Sequence, residues 1–494
     1  MAEDLRESTD PQLLDELFNP KSVALVGASP NPYSGGHAYA VHLLQDFKGK
    51  FFFVNPKVGE VLGVRTYPSL LDIPEEVDYV ICCISSEKVP SLLEDCGRKG
   101  VKIIHLFTAR MSETGRGEGE RLEREIVEKA RRLGIRLLGP NCMGLYNPEV
   151  GLTYGYYFPD EPGPVGGIFQ SGGLSTDFIH YGALRGLRFS RVVSYGNGRD
   201  LDEAELLRYF CWHPSTKVIA MYLEGVRDGR KFVEALKETA EKKPVVVLKG
   251  GKGRTGARAI RSHTASVAGR EEVWSAILRA SGAVEVNTFE ELLDQLVAFV
   301  FLPPSVGRRV AVLGGGGGKS VLSADLWERE GFELPDLPLS LRERLKELCP
   351  GEWDWVGNPV DFSILQERPV MPQEWLELME ESGIFDFFVF NLTEDDPLPE
   401  DIWRFWMEEQ VNDLLKFRKK GKPLLAVVPY AGLDAKEMKK WRWGAIGEMR
   451  KKMVEGRIPV FPSTERAARA LRRFVDYWKR RSGRASPSCS SSNR

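Results

Sequence analysis

The sequence has little of what marks a metal, disulfide or membrane protein. Its seven cysteines stand singly or as the adjacent pair Cys82-Cys83, and none is spaced as CxxC. That argues against a zinc site or a disulfide framework and fits a reducing, cytoplasmic compartment; no metal ligands are expected. No stretch reaches the roughly 20 apolar residues that span a bilayer. The N-terminus, MAEDLRESTDPQLL, is polar and acidic, unlike a signal peptide. Net charge is nearly absent as well. Lys and Arg number 68 against 70 Asp and Glu, leaving −2, so no overall field draws the chain to nucleic acid or a membrane surface. Histidine is scarce, six in all. What remains is a hydrophobic share of 42% in 494 residues, enough for several buried cores, and roughly 150 residues per domain suggests about three of them.

Short apolar runs alternate with helical patterns. SVALVG (22–27), FFFVNP (51–56), VDYVICCI (77–84), VKIIHLF (101–107) and IRLLGPN (135–141) read as strands. VPSLLEDCGRKG and ERLEREIVEKARRLG between them have apolar residues at helical spacing. Such alternation predicts a parallel sheet covered by helices on both faces. A Pro/Gly-rich break, FPDEPGPVGG (158–167), opens a second unit with strands GGIFQS (166–171), FSRVVSYG (189–196), KVIAMYLEG (217–225) and KPVVVLKGG (243–251). A third follows FLPPSVGRR (301–309), with RVAVLGGG (309–316), DFFVFNL (386–392) and PLLAVVP (423–429). The expected division is 1–148, 149–303 and 304–478. The Ser-rich 479–494 reads as a disordered tail.

In ALVGASPNPYSGGHAYAVHLL (24–44) a strand, a tight turn and a helix follow one another. Small residues at Gly27, Ala28 and Ser29 would let a diphosphate approach the backbone at the helix N-terminus. The GxGxxG spacing is broken, so a plain strand–helix turn remains an alternative. At the end of the second strand an NAD-binding unit would carry Asp or Glu for the ribose diol. Here stand Asn55, Pro56 and Lys57. A lysine suits an added phosphate, such as the one on the ribose of coenzyme A; a surface lysine without a ligand is the other reading.

His37, His42, His105, His180 and His213 read as structural or surface residues. His263 differs. It lies in GGKGRTGARAIRSHTASVAGREEVW (250–274), a small, polar, hydroxyl-rich stretch between a strand and a helix. An imidazole in an exposed loop can receive a phosphoryl group. On residues alone it is equally an exposed loop histidine.

The residues add up to a family. VALVGAS (23–29), VNPKVGEVLG (54–63), GPNCMGLYN (139–147), FQSGGLSTD (169–177), YGNGRDLDEAELLRYF (195–210), VIAMYLEGVRDGRKF (218–232), KKPVVVLKGG (242–251), SHTASVAG (262–269) and VGNPVDF (356–362) occur in the family's order, across roughly residues 14 to 475. The chain resembles the alpha subunit of ADP-forming acetyl-CoA synthetase, a relative of succinyl-CoA synthetase. The resemblance implies an α/β fold: an N-terminal Rossmann-like CoA-binding domain followed by two flavodoxin-like doubly wound domains. It implies a relay from acyl-CoA and phosphate, through an acyl phosphate and a phosphohistidine at His263, to ADP or GDP on another subunit. Glu224 matches the carboxylate that holds the histidine, and a carboxylate on one ring nitrogen leaves the other nucleophilic.

Carried over residue by residue, Ser171, Gly172 and Gly173 match a phosphate-binding helix start, and Ser175 and Thr176 would face the acyl group. Gly27, Ala28, Ser29, Lys57, Thr108 and Asn141 would contact coenzyme A. The run GGGGGKS (314–320) is not a P-loop, because Leu313 stands where the first Gly is required. It matches a second phosphate turn, so Gly315, Gly316, Gly317 and Gly318 would hold phosphate with backbone N–H groups, and Lys319 is a departure. FTARMSETG (107–115) departs from the family's usual Gly-Phe turn near the CoA thiol and bears on acyl specificity. No segment resembles an ATP-grasp domain, which needs roughly two hundred residues. A beta subunit carrying Mg-ADP/ATP is therefore expected, in an α2β2 assembly, with a small carboxylic acid or its acyl-CoA as substrate. The alternatives are a CoA-dependent acyltransferase, a CoA-sensing protein without turnover and, against the absent acidic ribose reader, a nicotinamide oxidoreductase.

Overall fold

A computed structural model describes residues 10–253, 255–256, 270–351, 353–354, 356–362, 371–392, 398–429 and 439–484. The chain divides into two compact units, Met1–Leu292 and Leu293–Arg494. The boundary falls inside the helix Phe289–Phe301.

The first unit holds two sheets. One is built from β1 (Ser22–Val26), β2 (Lys50–Val54), β3 (Glu60–Val61), β4 (Val64–Tyr67), β5 (Tyr79–Cys82), β6 (Ile103–Leu106) and β7 (Arg136–Leu138). Their spatial order is β3-β4-β2-β1-β5-β6-β7, parallel except for the β3–β4 hairpin. Leaving out β3, this is the Rossmann order, with the chain reversing direction across the sheet between β1 and β5. Helices Val89–Lys99 and Gly117–Arg132 follow β5 and β6. The first ends on Gly100, whose φ of 78° forms a left-handed cap. Val80, Ile104 and Leu106 are fully buried between sheet and helices, as expected for strands covered on both faces.

The second sheet uses β8 (Gly144–Tyr146), β9 (Pro162–Phe169), β10 (Phe189–Ser194), β11 (Val218–Leu223), β12 (Val245–Lys249) and β13 (Val284–Val286). Its order is β13-β12-β11-β9-β10-β8. The five parallel strands stand as 2-1-3-4-5, the flavodoxin-like arrangement, and β8 adds an antiparallel edge. The Pro/Gly-rich break is partly strand: β9 begins at Pro162. Pairing starts at Val165, so both prolines precede the ladder and no N–H is missed. Gly166 and Gly167 lie where Phe210, Val192 and Phe178 press on the strand, and a β-carbon there would come within 2.7 and 2.9 Å of them.

The second unit carries a four-stranded parallel sheet of β14 (Val310–Gly314), β15 (Phe387–Asn391), β16 (Leu424–Val427) and β17 (Val460–Phe461), in that order. Isolated parallel bridges, Arg309 to Glu333 and Leu313 to Val360, extend it beyond β14. Asn358 completes that edge by accepting from Val312 N at 2.9 Å and donating to the Val310 carbonyl at 2.8 Å. Trp375 and Trp403 fill its core, fully buried. Among the described residues no helix is long and apolar enough to cross a membrane.

Candidate active site

In doubly wound sheets ligands bind beyond the carboxyl ends of the strands where the chain order reverses. In the first unit, Gly27 stands beyond β1 of one sheet at such a point, and Ser171 and Glu224 beyond β9 and β11 of the other. Beyond β1, Gly27 takes a φ of +96°, and a β-carbon on it would lie 2.8 Å from the Cys83 carbonyl beyond β5. Gly36, in the first turn of the helix Gly35–Gln45, leaves room for the Gly27 carbonyl; a β-carbon would lie 2.0 Å from it. Helix and turn thus pack closely without GxGxxG spacing. Asn55 donates from Nδ2 to the Ala28 carbonyl at 2.7 Å, and its Oδ1 accepts from Lys57 N at 2.9 Å. The turn and the end of β2 are therefore joined, with the exposed Lys57 beside them. A backbone cradle that a β-carbon would fill, next to a lysine, suits a diphosphate with a further phosphate.

Thr108 is buried beyond β6, and its Oγ1 donates to the Ile84 carbonyl at 2.7 Å. Its own carbonyl accepts from Asn141 N at 3.0 Å, and Asn141 has a φ of +58°. Both residues line a cavity of about 910 Å3. The opposite wall is Gln170, Ser171, Gly172 and Gly173 from the second sheet. Ser171 caps the helix Gly172–Leu184, its Oγ accepting from Leu174 N at 3.4 Å. Helix starts of this kind attract anions through unpaired N–H groups and the helix dipole.

β9 and β11 are neighbours, so Ser171 and Glu224 leave the sheet side by side. Gln170, between them, was not singled out in the sequence. Its Oε1 accepts from Glu224 N at 2.6 Å and Gly225 N at 3.2 Å, so its amide locks the two strand ends together. Glu224 is buried, and its Oε1 accepts from Tyr222 Oη at 3.3 Å. Lys249, the polar end of the apolar run VVVLK, donates from Nζ to the Glu224 carbonyl at 2.8 Å and lies 5.0 Å above the Trp274 ring. Burial pulls its pKa down to about 8. The only sequence signal for either residue was a polar group closing an apolar strand.

Ser175 is fully buried, accepting from Tyr154 Oη at 3.0 Å and donating to the Gly172 carbonyl at 2.7 Å. Thr176 Oγ1 donates to the same carbonyl at 3.2 Å. Neither belongs to the cavity lining. In the second unit Gly314 and Gly315 take φ values of +83° and +93°, Gly316 caps the helix Gly317–Arg329, and Gly317 and Gly318 form its first turn. This is a helix start of the same design, placed by β14 as Ser171 is by β9. His263 lies outside the described residues.

Comparison with known proteins bears on this arrangement. Residues 21–148 match the model of a CoA binding domain, and residues 162–299 match a succinyl-CoA ligase like flavodoxin domain. The alpha subunit of ADP-forming acetate–CoA ligase I of Pyrococcus furiosus is 34% identical over 94% of this chain and 98% of its own length. The chain belongs to the ADP-forming acyl-CoA synthetase family. It stands with the alpha subunits of that family of acid–thiol ligases. The ADP-forming acetate–CoA ligase I of Archaeoglobus fulgidus is 41% identical over 71% of this chain, but the chain spans about half, 50%, of that relative's length. Among solved structures, the acetyl-CoA synthetase 1 of Candidatus Korarchaeum cryptofilum, in complex with phosphate and ADP, superposes with a TM-score of 0.79 at 30% identity, covering 96% of this chain and 99% of the other. The Rossmann-like first sheet and the flavodoxin-like second sheet are those of the synthetase fold.

Proposed function

We propose that this chain is the CoA-binding, phosphohistidine-carrying alpha subunit of an NDP-forming acyl-CoA synthetase. One observation carries the reading. The helix start Ser171–Gly173 opens on the same cavity as Thr108 and Asn141, and Gln170, beside it, accepts from the backbone N–H of Glu224, whose side chain is buried. On this reading the phosphate and the thioester would share that cavity, and the Glu224 carboxylate would orient the histidine from beside it. Gly27, Ala28, Ser29 and Lys57 would hold the nucleotide end of coenzyme A, and Thr108 and Asn141 its thiol end.

In this reading a phosphate oxygen attacks the thioester carbonyl at the Ser171 helix start. The thiolate leaves and takes a proton, giving acyl phosphate and free CoA. The N–H groups of that helix start offset the phosphate charge. A His263 ring nitrogen then attacks phosphorus, the P–O bond to the acyl group breaks, and the carboxylate departs. Glu224 holds the other ring nitrogen. The phosphohistidine next yields its phosphoryl group to Mg-ADP on an ATP-grasp beta subunit, in an α2β2 assembly, and the Gly315–Gly318 helix start would hold the phosphate on the way. Run in reverse, the sequence activates an acid at the expense of ATP. A reducing cytoplasm is the setting that the unpaired cysteines favour.

The test is to co-express the chain with its ATP-grasp partner, add magnesium and γ-labelled ATP, and follow acid-labile, base-stable label on this chain. Wild type is expected to take up label that ADP removes, and His263→Ala to take up none. Absence of label on wild type, despite confirmed association and nucleotide binding by the partner, would leave a CoA-dependent acyltransferase or CoA-sensing protein of the same fold.

A further inference from the structure

Arg110 lines the 910 Å3 cavity next to Thr108 and Ala109, with Ser85 and Glu87 on the adjoining wall. Its φ is +71°, in the left-handed region where a β-carbon crowds the backbone and which glycine enters freely. The turn is fastened from behind. Glu113 Oε1 accepts from the backbone N–H of Arg110 and, at 2.9 Å, from that of Met111. Glu113 Oε2 accepts from Asn197 Nδ2 at 2.9 Å, and the same amide donates to the buried Glu123 at 2.9 Å. Glu123 in turn accepts from Ser112 Oγ at 2.7 Å. Two carboxylates and an amide thus hold an arginine in a backbone conformation that arginine does not favour. Strain held in place this way at the wall of a site points to a use for the side chain.

The guanidinium itself has no hydrogen bond or ion pair among the described residues. Glu87 shares the cavity wall with it, near enough for the two charges to interact. That carboxyl is held below its usual range first by its own backbone N–H and the Ser85 hydroxyl, with the Arg110 charge adding to them. Glu113, behind the turn, is already committed to backbone N–H groups. The phosphate-type helix start at Ser171–Gly173 supplies N–H donors and needs no arginine to hold an anion. In a thioester, moreover, the reacting carboxyl has lost its charge. A monocarboxylic acyl group would offer the guanidinium only alkyl surface, and covering a charged donor without an acceptor is unfavourable.

We infer that Arg110 is the specificity residue of this cavity and that it binds the far carboxylate of a short dicarboxylic acyl group. The planar guanidinium matches a carboxylate with two parallel N–H donors, which an ammonium cannot do. The substrate class is then a short diacid and its CoA thioester. This rests on the acyl-CoA reading above and narrows it.

The full chain would be titrated calorimetrically with CoA, acetyl-CoA, succinyl-CoA, glutaryl-CoA and orthophosphate. At least one diacid thioester is expected to bind ten or more times more tightly than acetyl-CoA. Arg110→Gly should erase that difference while CoA, acetyl-CoA and orthophosphate keep their affinities within twofold. Because glycine suits the left-handed turn, the variant should melt no lower than wild type, which separates recognition from folding. Equal binding of acetyl and diacid thioesters by wild type would overturn the inference. So would a variant that loses CoA, acetyl-CoA or orthophosphate as steeply as the diacid thioester, since Arg110 would then serve the cofactor or phosphate. A wild-type chain that binds neither CoA nor any thioester would bring down the acyl-CoA reading itself, and this inference with it.

Discussion

His105 sits in β6 with Nε2 3.0 Å from the Cys142 carbonyl oxygen, so that nitrogen carries the ring proton. Gly144 packs on the ring, with a φ of +84° and room for no β-carbon. Burial pushes the pKa of His105 down to about 4, the bond to Cys142 opposing only part of the shift. A base with a depressed folded-state pKa stays neutral in the fold while the unfolded chain takes up a proton. Between the ordinary histidine value, about 6.5, and 4 the unfolded state binds more protons, so stability falls as pH falls, by up to about 1.4 kcal/mol per pH unit. His105→Gln, which keeps an N–H donor, is expected to flatten that slope in urea unfolding measured at pH 7, 5.5 and 4.5. His213, also pushed down to about 4 by burial, should leave a residual slope. A variant as acid-sensitive as wild type would show that His105 does not contribute. Residues of this kind were only partly legible in the sequence. Gly27 and Ser171 announce themselves as small residues between a strand and a helix. Gln170 and Lys249 do not, because their task is set by a neighbouring strand that only folding brings close.

Twelve of the seventeen described strands could be read from short apolar runs, since strands buried on both faces need such runs. β3, β4, β8, β13 and β17 could not. They are two to four residues long, and their partners rather than their composition make them strands. β9 was read as starting after a break because Pro and Gly signal turns, although here the prolines precede the paired segment. The two helix starts at Ser171 and Gly316 were legible because strand, small residues and helix follow directly in the chain. The helix Gly172–Leu184 permits a test at this scale. Ser171→Ala should cost about 1 kcal/mol of stability through the lost cap, while Ser171→Gly should cost only a few tenths. Both lack the hydroxyl, and both should weaken orthophosphate binding severalfold by calorimetry. A glycine variant with wild-type phosphate affinity would confine Ser171 to helix capping.

Across the whole molecule, every residue that lines the cavity falls between Cys83 and Gly173, within the first compact unit. The Gly27 turn lies there too. A fragment of residues 1–303, which includes the whole helix Phe289–Phe301, should therefore bind CoA within about threefold of the intact chain by calorimetry, roughly 0.6 kcal/mol. A much larger loss would assign part of the CoA site to the second unit. The same fragment lacks the Gly315–Gly318 helix start, and under the proposed relay it should not pass phosphoryl groups to nucleotide.

β7 closes the first sheet at Leu138, and β8 joins the second at Gly144. Only residues 139–143 connect them, and three of these, Asn141, Cys142 and Met143, line the cavity. The connector therefore acts as a ruler. Adding or deleting one residue there would turn β8 over, since strand side chains alternate faces, and would shift Asn141 away from the Thr108 carbonyl that fixes it. Surface loops of this chain can vary in length with little cost, but a change of length between 139 and 143 would alter the sheet edge and the cavity wall together.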